Sequence, residues 1–192
     1  MTKQIILASA SPRRRELLDQ IGVSYRVHAV DIDETPRLNE SPLAYVERVA
    51  AEKSAICRER LQSDLPVLAA DTAVVLNGRI MGKPHDFEHG RAMLEALSGK
   101  THRVYSAISL RGRGHDQAVS ITEVSFRELA AAEIEAYWRT GESRDKAGAY
   151  AIQGHGAVFV RSITGSFSGV VGLPLFETAM LLEKQGINIL DE

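Results

Sequence analysis

The chain has 192 residues, 44% of them hydrophobic and 25% charged, with 23 Lys and Arg against 25 Asp and Glu for a formal net charge of −2. A chain of this size buries roughly 70% of its unfolded surface, so one domain spanning residues 1–192 is expected to fold without a disulfide or structural metal. The charge balance excludes a global pull toward nucleic acid or anionic lipid, so anion affinity must be local. The single cysteine, Cys57, excludes an intramolecular disulfide and favours a reducing compartment.

Met1-Thr2-Lys3-Gln4 precedes only the short apolar run Ile5 to Ala8, too short for a signal-peptide core or a membrane span, and a cytoplasmic location is expected. Ile5 to Ala8 reads as a buried strand. Ser11 then offers an N-cap and Pro12 a first helical residue, with Leu17, Leu18 and Ile21 facing inward and Gly22 ending the helix. Tyr25 to Val30 is predicted as a strand and Asp31 to Asn39 as a loop. Ser41-Pro42 repeats the start signal for a long helix reaching about Leu61. Val67 to Ala70 reads as a buried strand, and Thr72 to Leu76 pairs with Arg79 to Met81 through Asn77-Gly78, which supplies the positive φ of a tight hairpin turn. A helix over Asp86 to Leu97 and two long strands, His102 to Leu110 and Gln117 to Phe126, follow. The chain closes with a helix at Glu133 to Trp138, a strand at Val158 to Ile163 and a helix at Pro174 to Gln185. Hairpins mixed with crossovers predict an α/β fold with a mixed sheet flanked by helices.

Several segments carry candidate chemistry. In Ser9-Ala10-Ser11-Pro12-Arg13-Arg14-Arg15, three arginines stand at the start of a helix. The free N–H groups and the guanidinium forks there suit phosphate. Cations are disfavoured in a first helical turn, so local stability does not explain them; the plainer alternative is a solvated basic turn. In the long helix, Leu43, Val46, Ala50, Lys53 and Cys57 recur at three- and four-residue spacing, which puts Lys53 on the apolar stripe. A lysine there needs a carboxylate or phosphate partner, unless it snorkels past the core edge. Asp71 ends an apolar run at what reads as a strand boundary, where α/β enzymes place metal ligands and bases and where capping aspartates also occur. Asp31, Asp33 and Glu34 form an acidic loop that could offer oxygen ligands to Mg²⁺ or could simply be solvated. Lys83 follows the hairpin, and the small-residue stretch Asp145 to Gly154 would let backbone approach a flat base, with Gln153 reading its edge. His85 and His89 lack a third metal ligand, and no Walker A sequence is present.

Together these segments resemble the Maf (septum-formation) family of nucleotide pyrophosphatases. The resemblance rests on Leu7-Ala8-Ser9-Ala10-Ser11-Pro12-Arg13-Arg14, Glu52-Lys53, Ala70-Asp71-Thr72, Gly82-Lys83-Pro84, the run from Asp145 to Gly154, and Val171-Gly172-Leu173-Pro174-Leu175. It implies two lobes around a cleft, as in inosine-triphosphate pyrophosphatases, often a homodimer, and hydrolysis of the α–β phosphoanhydride with a divalent cation, Mg²⁺ or Mn²⁺. On this resemblance Asp71 is the general base, and Glu34 and Asp71 are the metal positions. Arg13, Thr72 and Gln153 set substrate choice, while Ser9, Arg14, Glu34, Lys53 and Lys83 complete the site. The Ala-Gly-Ala-Tyr-x-Ile-Gln-Gly form resembles the branch acting on dTTP and UTP. Ala151 stands where glycine is more usual and Phe167 where tyrosine is common. Competing expectations are a pyrophosphatase for 7-methyl-GTP or other non-standard nucleotides and a non-catalytic nucleotide-binding regulator of cell division. Neither a nucleic-acid nor a membrane partner is expected.

Overall fold

Seven strands form one mixed sheet in the computed structural model, which describes residues 4–190. Met1-Thr2-Lys3 and the last two residues of the expected single domain lie outside the described residues. The sheet begins with β1 (Ile5–Leu7), parallel to β2 (Tyr25–Val27) on one side and to β3 (Val67–Leu76) on the other. The turn Asn77-Gly78, with φ of 50° and 77°, returns the chain as β4 (Arg79–Met81). Long antiparallel strands β5 (Thr101–Arg111) and β6 (His115–Phe126), then β7 (Val160–Thr164), complete the order β2-β1-β3-β5-β6-β7. The predicted mixed α/β sheet is therefore present. No helix among the described residues is long and apolar enough to cross a membrane.

The pairing of β3 divides the molecule. Along one edge β3 is matched by β5 from Val67 to Val75. Along the other, β1 pairs only Val67 and Leu68, and β4 pairs only Val74 to Leu76. Ala69 to Ala73 thus have no strand partner on that edge, and the sheet forks there. A separate core sits under each prong. Helices α1 (Pro12–Gln20) and α6 (Leu175–Glu183) bring Leu17, Leu18, Leu181 and Leu182 onto Leu7, Leu68 and Leu110. Helices α3 (Phe87–Leu97) and α4 (Ala131–Arg139) bring Leu94, Leu97, Ile134 and Tyr137 onto Val74, Val104 and Phe126. On the opposite face α2 (Pro42–Leu61) lays Val46, Val49 and Ala50 on Ala73, Val75 and Ala107. Each fully buried Val or Leu contributes about 1.5–3 kcal/mol, so every helix is held mainly by its inner face.

Several boundaries differ from expectation. The strand predicted to reach Val30 stops at Val27, because β1 offers only three partners and the chain turns away once the His28 N–H has bonded to the Leu7 carbonyl. The two segments predicted on either side of Asp71 are one continuous strand, with Asp71 paired to Ala107. Leu43 is 39% exposed, in the first turn of the helix whose stripe buries Val46, Ala50, Lys53 and Cys57. Ser11 makes no side-chain cap bond, whereas Ser41 accepts from the Ala44 N–H. Helix α5 (Phe167–Val171) and two 3₁₀ turns, Ala147–Ala149 and His155–Phe159, were not predicted.

The core also holds a histidine. His102 on β5 is buried, packs edge-on against Phe126 and Tyr150, and shares a 2.8 Å hydrogen bond between its Nε2 and the Tyr150 hydroxyl. Burial lowers its pKa from 6.5 to about 4. The unfolded chain therefore takes up a proton near pH 6.5 that the folded protein refuses until about pH 4. The stability contribution is intact above that window and lost as pH falls through it, to a total of about 3 kcal/mol. Urea unfolding between pH 7 and 4 is expected to show this slope in the natural chain. In His102→Gln the slope should be absent. Equal pH dependence in the two proteins would assign the slope to other groups.

Candidate active site

The fork of β3 opens into a cleft of about 460 Å³, within the size range of small-molecule sites. Strand alternation sends Asp71 to the α2 face and Thr72 and Val74 to the other, so the unpaired edge presents chemistry from both faces. Lys53, brought inward by the apolar stripe of α2, places Nζ 3.0 Å from Asp71 Oδ1 and 2.8 Å from Glu34 Oε1. Both Lys53 and Asp71 are buried. Burial pushes the Asp71 carboxyl above the usual aspartate range, against the opposing pull of Lys53 and Arg14. A buried ion costs several kcal/mol if left unpaired, so the ammonium and its two carboxylates hold one another in place.

Glu34 lies in an irregular loop, yet it is fixed. Arg48 of α2 forks onto Glu40 at 2.6 and 2.8 Å and donates to the Thr35 carbonyl at 3.2 Å, tying both ends of the stretch that follows Glu34 to a rigid helix. That bidentate contact holds the Glu40 carboxyl down to about 2. Of the acidic loop residues, Asp33 is spent on the Thr35 N–H and Asp31 is exposed. Only Glu34 reaches Lys53.

The arginines at the start of α1 take different directions. Arg14 donates from Nε to the Gly172 carbonyl at 2.9 Å and from Nη1 to Ser9 Oγ at 3.0 Å. These bonds use two of its five N–H donors. Burial lowers its proton affinity, while Asp71 and Glu34 oppose that shift. Ser9 Oγ also accepts the Ser11 N–H at 3.2 Å, so this hydroxyl organises the turn into the helix. The charge of Arg13 acts across the cleft, on Asp145 and Tyr137. Lys83, exposed after β4, lines the same opening. Five cationic side chains and three carboxylates line the cleft in all, which leaves a positive surplus for an anion.

Farther along the cleft the walls change. Thr72 and Ser106 share a 2.9 Å hydrogen bond, and Ser106 donates its own proton to the Gly169 carbonyl at 2.6 Å. Thr72 is therefore the donor to Ser106, and its lone pairs remain for the cleft. Val74, Val104, Tyr150, Ile152 and Val170 make an apolar end, with Gln153 beside it. In the stretch predicted to let backbone approach a base, the close approach within the fold is to strand β3. Gly148, at φ 69°, lies against Val74 so tightly that a Cβ would sit 2.9 Å from Val74 Cγ1, and its N–H bonds to the Gly82 carbonyl at 3.0 Å.

All nine sequence-predicted site residues, Ser9, Arg13, Arg14, Glu34, Lys53, Asp71, Thr72, Lys83 and Gln153, line this one cleft. His85 and His89 pack on each other and do not line it. Phe167 is 48% exposed and also lies outside the lining, so the tyrosine hydroxyl it lacks is not missed from these walls. Sequence reasoning did not single out Lys146, which is partly buried, pairs with Asp145 and lines the cleft. Its signal was a lysine inside an otherwise small-residue stretch.

A sequence model of the Maf-like protein family matches residues 4–185. A protein of Methylococcus capsulatus named dTTP/UTP pyrophosphatase is 56% identical over 185 residues, covering 96% of this chain and 92% of the relative. Proteins with the same name are 52% identical in Alkalilimnicola ehrlichii, with 94% of this chain and 92% of the relative covered, and 51% identical in Nitrosomonas europaea, with 96% of each covered. Among solved structures, the Ham1 protein of Staphylococcus aureus is similar at a TM-score of 0.47 and 21% identity, covering 81% of this chain and 79% of that one. The blocks quoted from the sequence meet around one cleft, and the family match spans nearly the whole length: the chain belongs to the Maf-like protein family.

Proposed function

We propose that this protein hydrolyses nucleoside triphosphates, dTTP and UTP above others, to the monophosphate and pyrophosphate. The observation that carries the reading is the make-up of the cleft. Its walls combine five cationic side chains and the Asp71–Lys53–Glu34 cluster with an apolar patch of Val74, Val104, Tyr150, Ile152 and Val170, next to which stands a single amide, Gln153. The names of relatives more than half identical to this chain support the same substrates.

Arg13, Arg14, Lys53 and Lys83 offset the charge of the triphosphate, most strongly where charge develops on the departing pyrophosphate. A water attacks the α-phosphorus and gives up a proton, the new P–O bond forms, and the bond to the bridging oxygen breaks with its electron pair leaving on pyrophosphate. Asp71 takes the proton, a task suited to a carboxylate whose proton affinity burial has raised. Thr72, beside Arg14 and Gly172, stands between the phosphate grip and the apolar walls and accepts from the sugar. Gln153 offers both a donor and an acceptor, which match the O4 and N3–H of uracil or thymine.

A divalent cation fits the donor set. Glu34 and Asp71 converge on one ammonium, and no cluster of three metal-ligating side chains exists among the described residues. One or two carboxylates completed by substrate phosphates is the habit of Mg²⁺. Glu34, the more exposed of the two, would be the principal ligand and Asp71 the lesser one. Bound there, the cation would neutralise phosphate oxygens and polarise the α-phosphoryl group.

Pyrophosphate release from a nucleotide panel, with Mg²⁺, Mn²⁺ or EDTA, tests the whole reading. Metal-dependent release with dTTP and UTP foremost is the expected result. Release favouring another base would overturn the pocket assignment, and none with any nucleotide would overturn the activity. Asp71→Asn is expected to lower kcat by about 10²–10⁴-fold while binding of a fluorescent nucleotide persists. Wild-type turnover in that variant would remove Asp71 as base. Gln153→Ala should lower kcat/KM for dTTP and UTP about tenfold and narrow their lead over dCTP.

A further inference from the structure

Gln153 sits in a turn that has almost no regular structure to hold it. A single carboxylate outside the cleft lining does so instead. Glu142 Oε1 accepts the Tyr137 hydroxyl proton at 2.8 Å and the Gly156 N–H at 3.0 Å, and Oε2 accepts the His155 N–H at 2.9 Å. His155 Nδ1 lies 3.2 Å from Oε2 as well. The Tyr137 oxygen in turn accepts the Ala151 N–H at 3.0 Å. Backbone on both sides of Gln153 is thus bonded to one relay, with Ala151 entering through Tyr137 and His155 and Gly156 ending on Glu142.

The turn is shaped to wrap that carboxylate. Gly154 has φ 105° and ψ −151°, a conformation that L side chains rarely adopt, and a Cβ there would run into Glu142 Oε2. A Cβ on Gly156 would run into the Ala151 carbonyl and lie 2.9 Å from the Tyr137 hydroxyl. Tyr137 is itself fixed, buried in the α4 core with its ring edge-on to Phe159, centroids 4.9 Å apart. Charge-assisted bonds to an ionised acceptor are about twice as strong as neutral ones, so the relay ties the loop firmly to the side chain of a core tyrosine on α4.

We propose that Glu142 and Tyr137 are the positioning residues that set base selectivity, acting through Gln153 and touching no substrate themselves. This rests on the nucleotide-hydrolysis reading above. The carboxylate anchors the turn, the turn aims the amide, and the aim separates uracil and thymine from cytosine.

The test is kcat/KM for dTTP, UTP, dCTP, dATP and dGTP in the natural enzyme, Glu142→Gln, Gln153→Ala and the double variant, with thermal unfolding as the check on folding. Glu142→Gln keeps the volume but loses the charge. It is expected to cut the ratio of dTTP to dCTP about tenfold, roughly what one aimed hydrogen bond contributes. In the Gln153→Ala background the same change should cost little further selectivity, since the two act as one unit. A folded Glu142→Gln enzyme with an unchanged ratio, or with a loss that simply multiplies that of Gln153→Ala, overturns the inference. Should Glu142→Gln not fold, Tyr137→Phe removes only the hydroxyl of the relay, and the same two outcomes apply to it. If the natural enzyme prefers another base, the substrate assignment falls and the inference is read on that preference instead. An enzyme indifferent to the base overturns both.

Discussion

One ammonium group ties the active end of this molecule together. Lys53 reaches from α2 to Asp71 in the centre of β3 and to Glu34 in an irregular loop. Removing the Lys53 charge would strand the buried Asp71 carboxylate, and removing Asp71 would leave the buried ammonium only the half-exposed Glu34. The cluster is therefore structural before it is chemical. It explains why a helix otherwise committed to Val46, Val49 and Ala50 spends a position on lysine. It also explains how a carboxylate persists in the middle of a strand.

The same cluster depends on how β3 is paired. Had β1 or β4 run the full length of that edge, Ala69 to Ala73 would be sealed by backbone hydrogen bonds and nothing could approach Asp71 along it. Short β1 and β4 sit at opposite ends of the edge, and each carries its own core. The two lobes are a consequence of where pairing stops. Functional side chains then come from what borders the gap: the turn after β1, the turn after β4, and the loops that return over them.

Much of this was legible in the chain. Helical periodicity put Lys53 on the inner face of α2, and the alternation of strand and helix signals predicted the mixed sheet. The misplacement of Asp71 at a strand end shows the limit of such reading. A polar residue interrupting an apolar run looks like a boundary, and only the partner strand, through Ala107, reveals that the backbone continues. The acidic loop read as a possible ligand set, but only family resemblance singled out Glu34 within it, because its position is fixed by Arg48 and Glu40, which no local pattern links to it. Helix α5 spans five residues, too few to show a period. Glu142 and Tyr137 escaped notice for a related reason, since their partners are backbone N–H groups that every residue possesses.

The continuity of β3 through the fork has a metrical consequence. On the proposed function Asp71 stands at the reacting phosphate and Val74 at the apolar wall, and both belong to one strand clamped along its other edge by β5. Three residues of extended chain span about 10 Å, a length that side-chain motion cannot alter. The strand is in effect a ruler laid beneath the substrate. A ligand whose flat ring stands nearer to or farther from its α-phosphorus than a nucleoside allows cannot satisfy both marks at once. Chain length between phosphate and ring is thereby checked by the backbone, before any side chain inspects which ring has arrived.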